Sequence, residues 1–352
     1  MSNENNNNNQ NNNNENNSLN NESNNNSESH NETTNELNIT KADSIDSDFP
    51  TSGFFTLTFK DGSEFNGEMT KGEISNYGII KNSNGDTFEG EINIQNKASP
   101  DEIIKGKLKF ENGEYEGEFK NFKFDGIGIL KYKNGDIYTG HFKNGLKDGE
   151  GRLEFFEGDL YEGNFVKNKI EGEGKLTIAN ISYYKGNFIN GLYDGYGILT
   201  SLKKNEILMG YFKNGLIDGK GIHYKENGDV YDGNFSKGKF NGKGKYIYND
   251  KTYYEGNFKE GNFKGEGTLT FENGDKYVGN FENGNREGKG IFYFGKGGVY
   301  EGEFKNNLFD GDGILYKENG DIIEGTFEKG FLKGKATYYP QDGIPYDIDT
   351  EE

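Results

Sequence analysis

Residues 131–153 read KYKNGDIYTGHFKNGLKDGEGRL, and this stretch decides the fold. From 136 to 142 the side chains alternate, with Tyr138, Gly140 and Phe142 on one face, which is the period of a β-strand. The preceding residues 126–132 alternate in the same way. The two segments are separated by a short loop that contains Asn-Gly, so we predict a β-hairpin.

The length of the loop Lys133-Asn134-Gly135 determines which side chains share a face. A two-residue turn would put Leu130 and Tyr138 on opposite faces of the hairpin. A three-residue loop with Gly135 in the left-handed conformation pairs Leu130 with Tyr138 and unites the large residues on one face. We therefore predict the three-residue loop. The other connection, from Asn144 to Gly149, is predicted to be a longer polar loop.

A glycine lies at the centre of each such first strand, for example Gly117, Gly163 and Gly256. Glycine weakens a strand because it loses more backbone entropy and packs no side chain. A ring from a neighbouring strand that lies over the bare backbone would compensate. We predict this arrangement throughout the array.

The aromatic-x-Gly-x-aromatic motif recurs along the chain, and ten of its steps are 23 residues long. The motif begins at Phe65, Phe88, Tyr115, Tyr138, Tyr161, Tyr184, Leu208, Tyr231, Tyr254, Tyr277, Tyr300 and Ile323, with an echo at Tyr346. A period in this range indicates stacked structural repeats. The sequence therefore predicts an all-β protein, an elongated single-layer antiparallel array of β-hairpins in which each hairpin covers the next.

Composition excludes several other classes of protein. The chain has 54 Gly but only 4 Pro, which excludes collagen, while 28 Phe and 23 Tyr argue against a wholly disordered chain. The lack of Cys excludes disulfide scaffolds, thiolate zinc sites and cysteine nucleophiles. No apolar stretch is long enough for a transmembrane helix, and the first 30 residues have no signal-peptide pattern. We expect a cytoplasmic protein.

The ends of the chain differ from the middle. Residues 1–50 contain no Gly, and 20 of the first 40 residues are Asn, so we expect a disordered leader. Residues 53–339 hold twelve repeats, and residues 340–352 form an acidic tail. The leader and the tail carry −8 and −5 of the net charge of −19, so the repeat region is close to neutral.

The repeats resemble those of the MORN family, which combine a Tyr-x-Gly-x-aromatic strand with a Gly-x-Gly-x-Leu strand. Residues 161–165 and 172–176 match this pattern, as do 254–258 and 265–269. The repeats at Leu208 and Ile323 depart from it because they lack the leading aromatic residue. The resemblance implies a twisted antiparallel sheet with a groove, a scaffold role at membranes, cytoskeleton or cilia, and no activity of its own.

A scaffold needs a surface for its partner, and the sequence offers two candidates. Aromatic residues that line a groove are candidates for binding a helix or an extended peptide; they are Tyr161, Phe165, Tyr184, Phe188, Tyr231, Phe235, Tyr254, Phe258, Tyr277 and Phe281. Lysines that follow the strand aromatic could form a row that meets acidic phospholipids; they are Lys120, Lys143, Lys213, Lys259 and Lys305. The same row could instead protect the sheet edge against aggregation.

We predict no catalytic residue, no metal site and no cofactor. The string from Asp310 to Gly313 begins like a calcium loop, but Ile314 takes the next ligand position. His141 and His223 are interpreted as solvent-facing strand residues, because their spacing suits no local metal site. The carboxylates beside the turns, such as Asp136 and Asp229, suit turn chemistry.

The sequence thus favours a non-enzymatic scaffold that binds protein partners, with a peripheral membrane tether as the alternative. Nucleic acid is not expected as a partner, because no basic patch dominates. A homodimer through the C-terminal edge is a further candidate, since the last strand has no successor. The expected location is the cytoplasm, at the cytoskeleton, at a cilium or at a membrane surface.

Overall fold

The computed structural model describes residues 52–71, 73–92 and 103–350. The predicted leader and the insert near Asn96 lie outside these residues. The described residues form strands and turns and contain no helix, so there is no helical membrane span among them. The chain divides into two compact units, Met1–Leu192 and Tyr193–Glu352.

The first unit contains strands β1 to β12. Their bounds are β1 Ser52–Thr58, β2 Glu64–Thr70, β3 Glu73–Lys81, β4 Thr87–Glu91, β5 Ile103–Phe110, β6 Gly113–Lys120, β7 Lys123–Tyr132, β8 Ile137–Lys143, β9 Leu146–Glu154, β10 Leu160–Val166, β11 Lys169–Ile178 and β12 Ser182–Ile189.

The second unit contains strands β13 to β26. Their bounds are β13 Leu192–Ser201, β14 Glu206–Lys213, β15 Leu216–Tyr224, β16 Val230–Ser236, β17 Lys239–Ile247, β18 Tyr253–Lys259, β19 Asn262–Thr270, β20 Lys276–Glu282, β21 Asn285–Tyr293, β22 Val299–Lys305, β23 Leu308–Tyr316, β24 Ile322–Glu328, β25 Phe331–Tyr339 and β26 Tyr346–Asp349. β26 pairs with β25, so part of the predicted acidic tail belongs to the sheet.

Within each unit, strands that follow one another in the chain pair antiparallel. This connectivity is a meander, in which each connection is a hairpin. It confirms the prediction of an all-β antiparallel array of hairpin repeats.

The loop between β7 and β8 has three residues, as predicted. The Tyr132 amide donates to the Asp136 carbonyl over 2.8 Å, and Leu130 pairs with Tyr138. Gly135 has a φ of +98°, which is the left-handed conformation that this loop needs. The large side chains therefore share one face of the hairpin.

The prediction of a longer loop after Asn144 is wrong. Lys143 pairs directly with Leu146, so the turn has two residues, and both Asn144 and Gly145 have positive φ, as a type I′ turn requires. The polar residues that follow belong to β9, and a bulge after Gly140 accommodates them. A tight turn plus a bulge thus takes the place of the loop.

The Tyr ring of each repeat lies over two glycines. A Cβ at Gly163 would stand 2.5 Å from the Tyr161 hydroxyl, and one at Gly174 on the next strand would stand 2.4 Å from it. The predicted aromatic covering is therefore present, but the ring comes from the glycine's own strand and covers the next strand as well. Only glycine at both positions leaves room for the ring.

The hydroxyl of each Tyr that begins a repeat motif bonds to the backbone of its own strand. The Tyr138 hydroxyl donates to the His141 carbonyl over 2.9 Å. His141 is the residue that the bulge leaves without a partner on β9. The bulge therefore supplies the acceptor that a buried hydroxyl needs.

The repeats without a leading aromatic residue use aliphatic side chains instead. At Leu208, the Cδ1 atom of Ile217 lies where a ring would lie over Gly221. At Ile323, Leu332 takes this place over Gly325, and Ala336 stands where other repeats have a second glycine. The register of the strands is kept in both repeats.

Aspartates of the three-residue loops join one repeat to the next. The Asp229 side chain accepts the Asn249 amide over 3.0 Å and the Tyr246 hydroxyl over 2.6 Å. Asp136 accepts the Phe156 amide over 2.9 Å in the same way. These carboxylates have the turn role that the sequence indicates.

Candidate partner-binding site

The ten aromatic residues predicted to line a groove are buried. Their exposed fractions lie between 0% and 5%, and their rings pack edge to face within each unit. Tyr138 and Phe165 have their centroids 5.0 Å apart, and Tyr161 and Phe165 have theirs 5.2 Å apart. Such pairs add stability beyond area burial. These side chains form the interior of each unit and offer little surface to a partner.

Burial has changed the acidity of these tyrosines. Desolvation raises the pKa of Tyr138, Tyr254 and Tyr277 to about 12. The phenols therefore stay protonated and act as donors to backbone carbonyls. They act as structural groups in this arrangement.

A second ring stacks on the Tyr ring in several repeats. Phe240 lies 3.8 Å from Tyr231 between centroids, and Phe263 lies at the same distance from Tyr254. Two repeats place a cation at this position: Lys147 over Tyr138 and Arg286 over Tyr277. Desolvation lowers the pKa of Lys147 to about 8.

The five predicted lysines end their short strands, directly before the two-residue turns. They therefore lie at one strand end in each unit, Lys120 and Lys143 in the first and the other three in the second. The row is interrupted, because the equivalent positions hold Val166 and Ile189 in the first unit. In the second unit they hold a serine and two glutamates.

The face opposite the buried aromatics is open and polar. Within the second unit it forms a groove of about 1600 Å³ that reaches from β15 to β24. Two rows of side chains line it, and the paired glycines between the rows leave bare backbone as its floor. Neighbouring strands are about 4.8 Å apart, so the groove is roughly 40 Å long.

One end of this groove is acidic. Glu301, Glu303, Asp312 and Glu324 line it on β22 to β24, and none of the four forms an ion pair with a described residue. Lys289 is the one basic residue of the lining on β21 to β24. This end therefore attracts positive charge.

Apolar side chains lie between these carboxylates. Glu301 pairs with Ile291 on one side and with Ile314 on the other. Ile314 in turn pairs with Glu324. The row thus alternates Ile and Glu across four strands, which offers a partner both charge and apolar contact.

An aromatic pair lies on this open face at the first two strands of the second unit. Tyr196 and Tyr211 pair across β13 and β14 with ring centroids 5.6 Å apart. Both are about half exposed, at 49% and 53%. Sequence reasoning missed this pair because it occupies strand positions that hold polar residues in most repeats.

The two strand histidines have different surroundings. His141 is exposed, as predicted, whereas the prediction for His223 is wrong. His223 is paired with Tyr231 on the aromatic face, and its Nε2 lies 3.3 Å from Oε2 of Glu206. Hydrogen bonding to His223 lowers the pKa of Glu206.

The described residues contain no cluster of His, Cys, Asp and Glu that would hold a metal ion. In the segment from Asp310 to Gly313, which begins like a calcium loop, both carboxylates make other contacts. Asp310 accepts the Lys329 amide over 3.1 Å, and Asp312 accepts the Thr326 hydroxyl over 2.9 Å. Both carboxylates thus have structural partners.

Solved structures give only distant likenesses. The SAS-4 (dCPAP) TCP domain of Drosophila melanogaster, in complex with a proline-rich motif of Ana2 (dSTIL), is 19% identical with a TM-score of 0.26, covering 44% of this chain and 78% of that one. A catalytically inactive virginiamycin B lyase from Staphylococcus aureus with quinupristin is 12% identical with a TM-score of 0.12, covering 87% and 97%. These likenesses carry no argument about function. No curated protein matches the chain significantly.

A family match, by contrast, covers most of the repeats. The sequence model of the MORN repeat matches residues 115–137, 138–160, 161–180, 184–201, 209–230, 231–253, 254–276, 277–299, 300–322 and 324–343. The two hairpins that begin at Phe65 and Phe88 are not matched, yet Phe65 covers Gly67 and Gly78 as the Tyr rings do elsewhere. Since ten consecutive matches span more than half of the chain, the protein belongs to the MORN repeat family.

Proposed function

We propose that the protein is a non-enzymatic scaffold that holds a protein partner in the open groove of its second unit. The observation that carries this proposal is the row of Ile291, Glu301, Ile314 and Glu324, in which carboxylates that form no ion pair with any described residue alternate with apolar side chains. MORN repeats commonly bind proteins or membranes, and the family is generally non-catalytic, which supports a scaffold role.

The dimensions and charge of the groove define the partner. A groove of roughly 40 Å accommodates about 12 residues of extended chain or about 26 residues of α-helix. The acidic end favours Lys or Arg in that segment, and the two isoleucines favour apolar side chains beside them. We therefore propose a basic segment with interspersed apolar residues as the ligand.

Charge reversal tests this proposal. Glu301→Lys with Glu324→Lys reverses the acidic end, whereas Glu226→Lys with Glu272→Lys makes the same change in net charge on exposed loop residues outside the groove. We expect affinity capture from native cells to lose specific proteins with the groove variant alone, and a purified segment of such a protein to bind at least about 50-fold more weakly. The same proteins captured by both variants would contradict the proposal.

The place of action is also a proposal. We place the protein in the cytoplasm, at cytoskeletal, ciliary or membrane-associated structures, and the support is the family resemblance. Proximity labelling in the native cell tests this assignment. The homodimer through the C-terminal edge stays a prediction; light scattering that shows a monomer at high concentration would remove it.

A further inference from the structure

The outer side of strand β1 is open. β1 pairs antiparallel with β2 over its whole length and with no other strand that the structure describes. At the hairpin loop, the Phe59 amide donates to the Ser63 carbonyl over 2.8 Å. Bonded and non-bonded residues alternate along an antiparallel strand, so the backbone groups of Phe54, Thr56 and Thr58 point away from β2. They form a row of donors and acceptors that a further strand can pair with.

β1 lacks the features that usually protect the edge of a sheet. Its sequence is SGFFTLT, with no charged residue and no proline, and its register with β2 contains no bulge. The Phe54 side chain is 86% exposed. A seven-residue strand of this kind is a template for pairing with another chain, because nothing in it opposes the approach of a second strand.

The last strand of the second unit is protected by contrast. β26 has four residues, which include Asp347 and Asp349, and Pro345 directly precedes it. Two copies that paired through β26 would bring these carboxylates close together, and like charges on facing strands are destabilising. Short length, charge and proline are the means by which natural proteins block an edge. β1 is therefore the edge that suits a second strand.

Phe55 occupies a position that other repeats give to glycine. It pairs with Gly67, and the equivalent residue of β3 is Gly78. Gly78 lies under the ring of Phe65, which comes from the strand before β3. No described strand precedes β1, and Phe55 supplies a ring of its own, packed on Phe65 with centroids 5.6 Å apart. The aromatic face of the first unit therefore continues onto the edge strand and ends there with a half-buried ring.

We infer that two copies of the chain pair through β1, antiparallel and about a two-fold axis at Phe55. This register sets residues 52–58 of one copy against residues 58–52 of the other, so the whole strand takes part. Phe54 of each copy then exchanges backbone hydrogen bonds with Thr56 of the other. The two Phe55 rings meet on the aromatic face, where cross-strand aromatic pairs stabilise a sheet. The contact is self-complementary, as a two-fold interface must be.

The sequence of β1 favours a second copy over an unrelated strand, because self-pairing opposes no like charges within the strand and sets one aromatic ring against another. A seven-residue strand buries less area than a standard interface, so we expect a weak dimer with a dissociation constant of about 10 to 100 µM. Residues 1–50, which precede β1, carry a net charge of −8. Two copies therefore repel each other at low salt, and about 0.5 M salt should tighten the dimer about 3-fold.

Sedimentation equilibrium of the full chain tests the inference. Thr56→Pro removes an outward amide from each copy and should raise the dissociation constant at least about 30-fold, while the melting temperature stays within about 3 °C because an edge strand tolerates proline there. Asp347→Pro makes the same change at an outward position of β26 and should alter the constant less than about 2-fold. A native chain that stays monomeric at about 300 µM would overturn the inference. So would a dimer that survives Thr56→Pro, or one that only Asp347→Pro dissociates.

A disulfide tests the register independently. The chain has no Cys, and the register sets residue 55 of the two copies at a non-hydrogen-bonded pair about 4.5 Å apart between Cα atoms, which a disulfide spans. Oxidation of Phe55→Cys with diamide should therefore give at least about 10-fold more cross-linked dimer than oxidation of Leu57→Cys, whose copies lie about 13 Å apart. Equal yields would contradict the inference. Glu301→Lys with Glu324→Lys should keep the dimer, so the groove and this edge can fail independently.

Discussion

The Tyr138 hydroxyl lies 2.4 Å from the point where a Cβ would stand at Gly151 on the neighbouring strand. No real Cβ contact is this short, so the ring and the glycine require each other. The repeat at Ile323 supports this, because there the aromatic residue is absent and Ala336 stands at the position equivalent to Gly151. The pair is the physical basis of the Tyr-x-Gly motif.

We expect Gly151→Ala to lower the free energy of unfolding by about 2 to 3 kcal/mol, because the Cβ displaces the Tyr138 ring from a close-packed interior. Urea unfolding followed by circular dichroism measures this change. The double variant Tyr138→Ile with Gly151→Ala copies the repeat at Ile323 and should cost about 1 to 2 kcal/mol less than the sum of the single variants. Strict additivity in this cycle would show that the two residues are not coupled.

Replacement of Lys147 by Phe should stabilise the first unit. Its Nζ lies 5.5 Å from the centroids of Tyr132, Tyr138 and Phe165, and burying this cation costs more than the ring faces return. Phenylalanine stacks on the equivalent tyrosines of other repeats. We expect a gain of about 1 to 2 kcal/mol at pH 7 for Lys147→Phe, measured by urea unfolding.

The gain should depend on pH in a defined direction. The pKa of Lys147 is about 8 in the folded protein and about 10.4 in the unfolded chain. Between these values the unfolded chain binds more protons, so the native protein gains stability as pH rises and the advantage of the variant shrinks. Thr139→Val, which removes no titrating group from the exposed face of β8, is the control and should show no such trend. A constant difference from pH 7 to 9.5 would contradict the assignment.

Asp229→Ala should destabilise the second unit by about 2 to 4 kcal/mol. The change leaves the Tyr246 hydroxyl, buried on β17, and the part-buried Asn249 amide of the following loop without an acceptor. Thermal melting measures the loss. Asp232→Ala removes a carboxylate from the groove lining and should change the melting temperature little; an equal loss in both variants would argue against the loop contact.

Alkaline pH should unfold the protein cooperatively. The pKa values of Tyr254, Tyr277 and Tyr300 are about 12 in the folded protein, against about 10 in an unfolded chain. Between these values the folded protein binds more protons, so its stability falls as pH rises above 10. Phenolate absorbance and circular dichroism should change together in one transition. Phenols that ionise near pH 10 with the strands intact would contradict the burial of these tyrosine rings.

The sequence by itself determined the fold of each hairpin. The period of two within a strand, together with the position of Gly135, predicts the register of Leu130 and Tyr138, because both depend only on local backbone geometry. The same logic failed after Asn144. There a bulge absorbs polar residues, and strand periodicity alone does not distinguish a bulge from a loop.

Only the tertiary structure decided which face of the sheet is buried and which is open. The motif aromatics were predicted to line a groove, but rings such as Tyr161 and Phe188 meet across repeats and close that face, with centroids 5.3 Å apart. Burial depends on distances between side chains about a full repeat apart in the chain, which no local pattern specifies. For the same reason, ion pairs between neighbouring repeats, such as that of Lys239 with Glu260, became visible only in the tertiary structure.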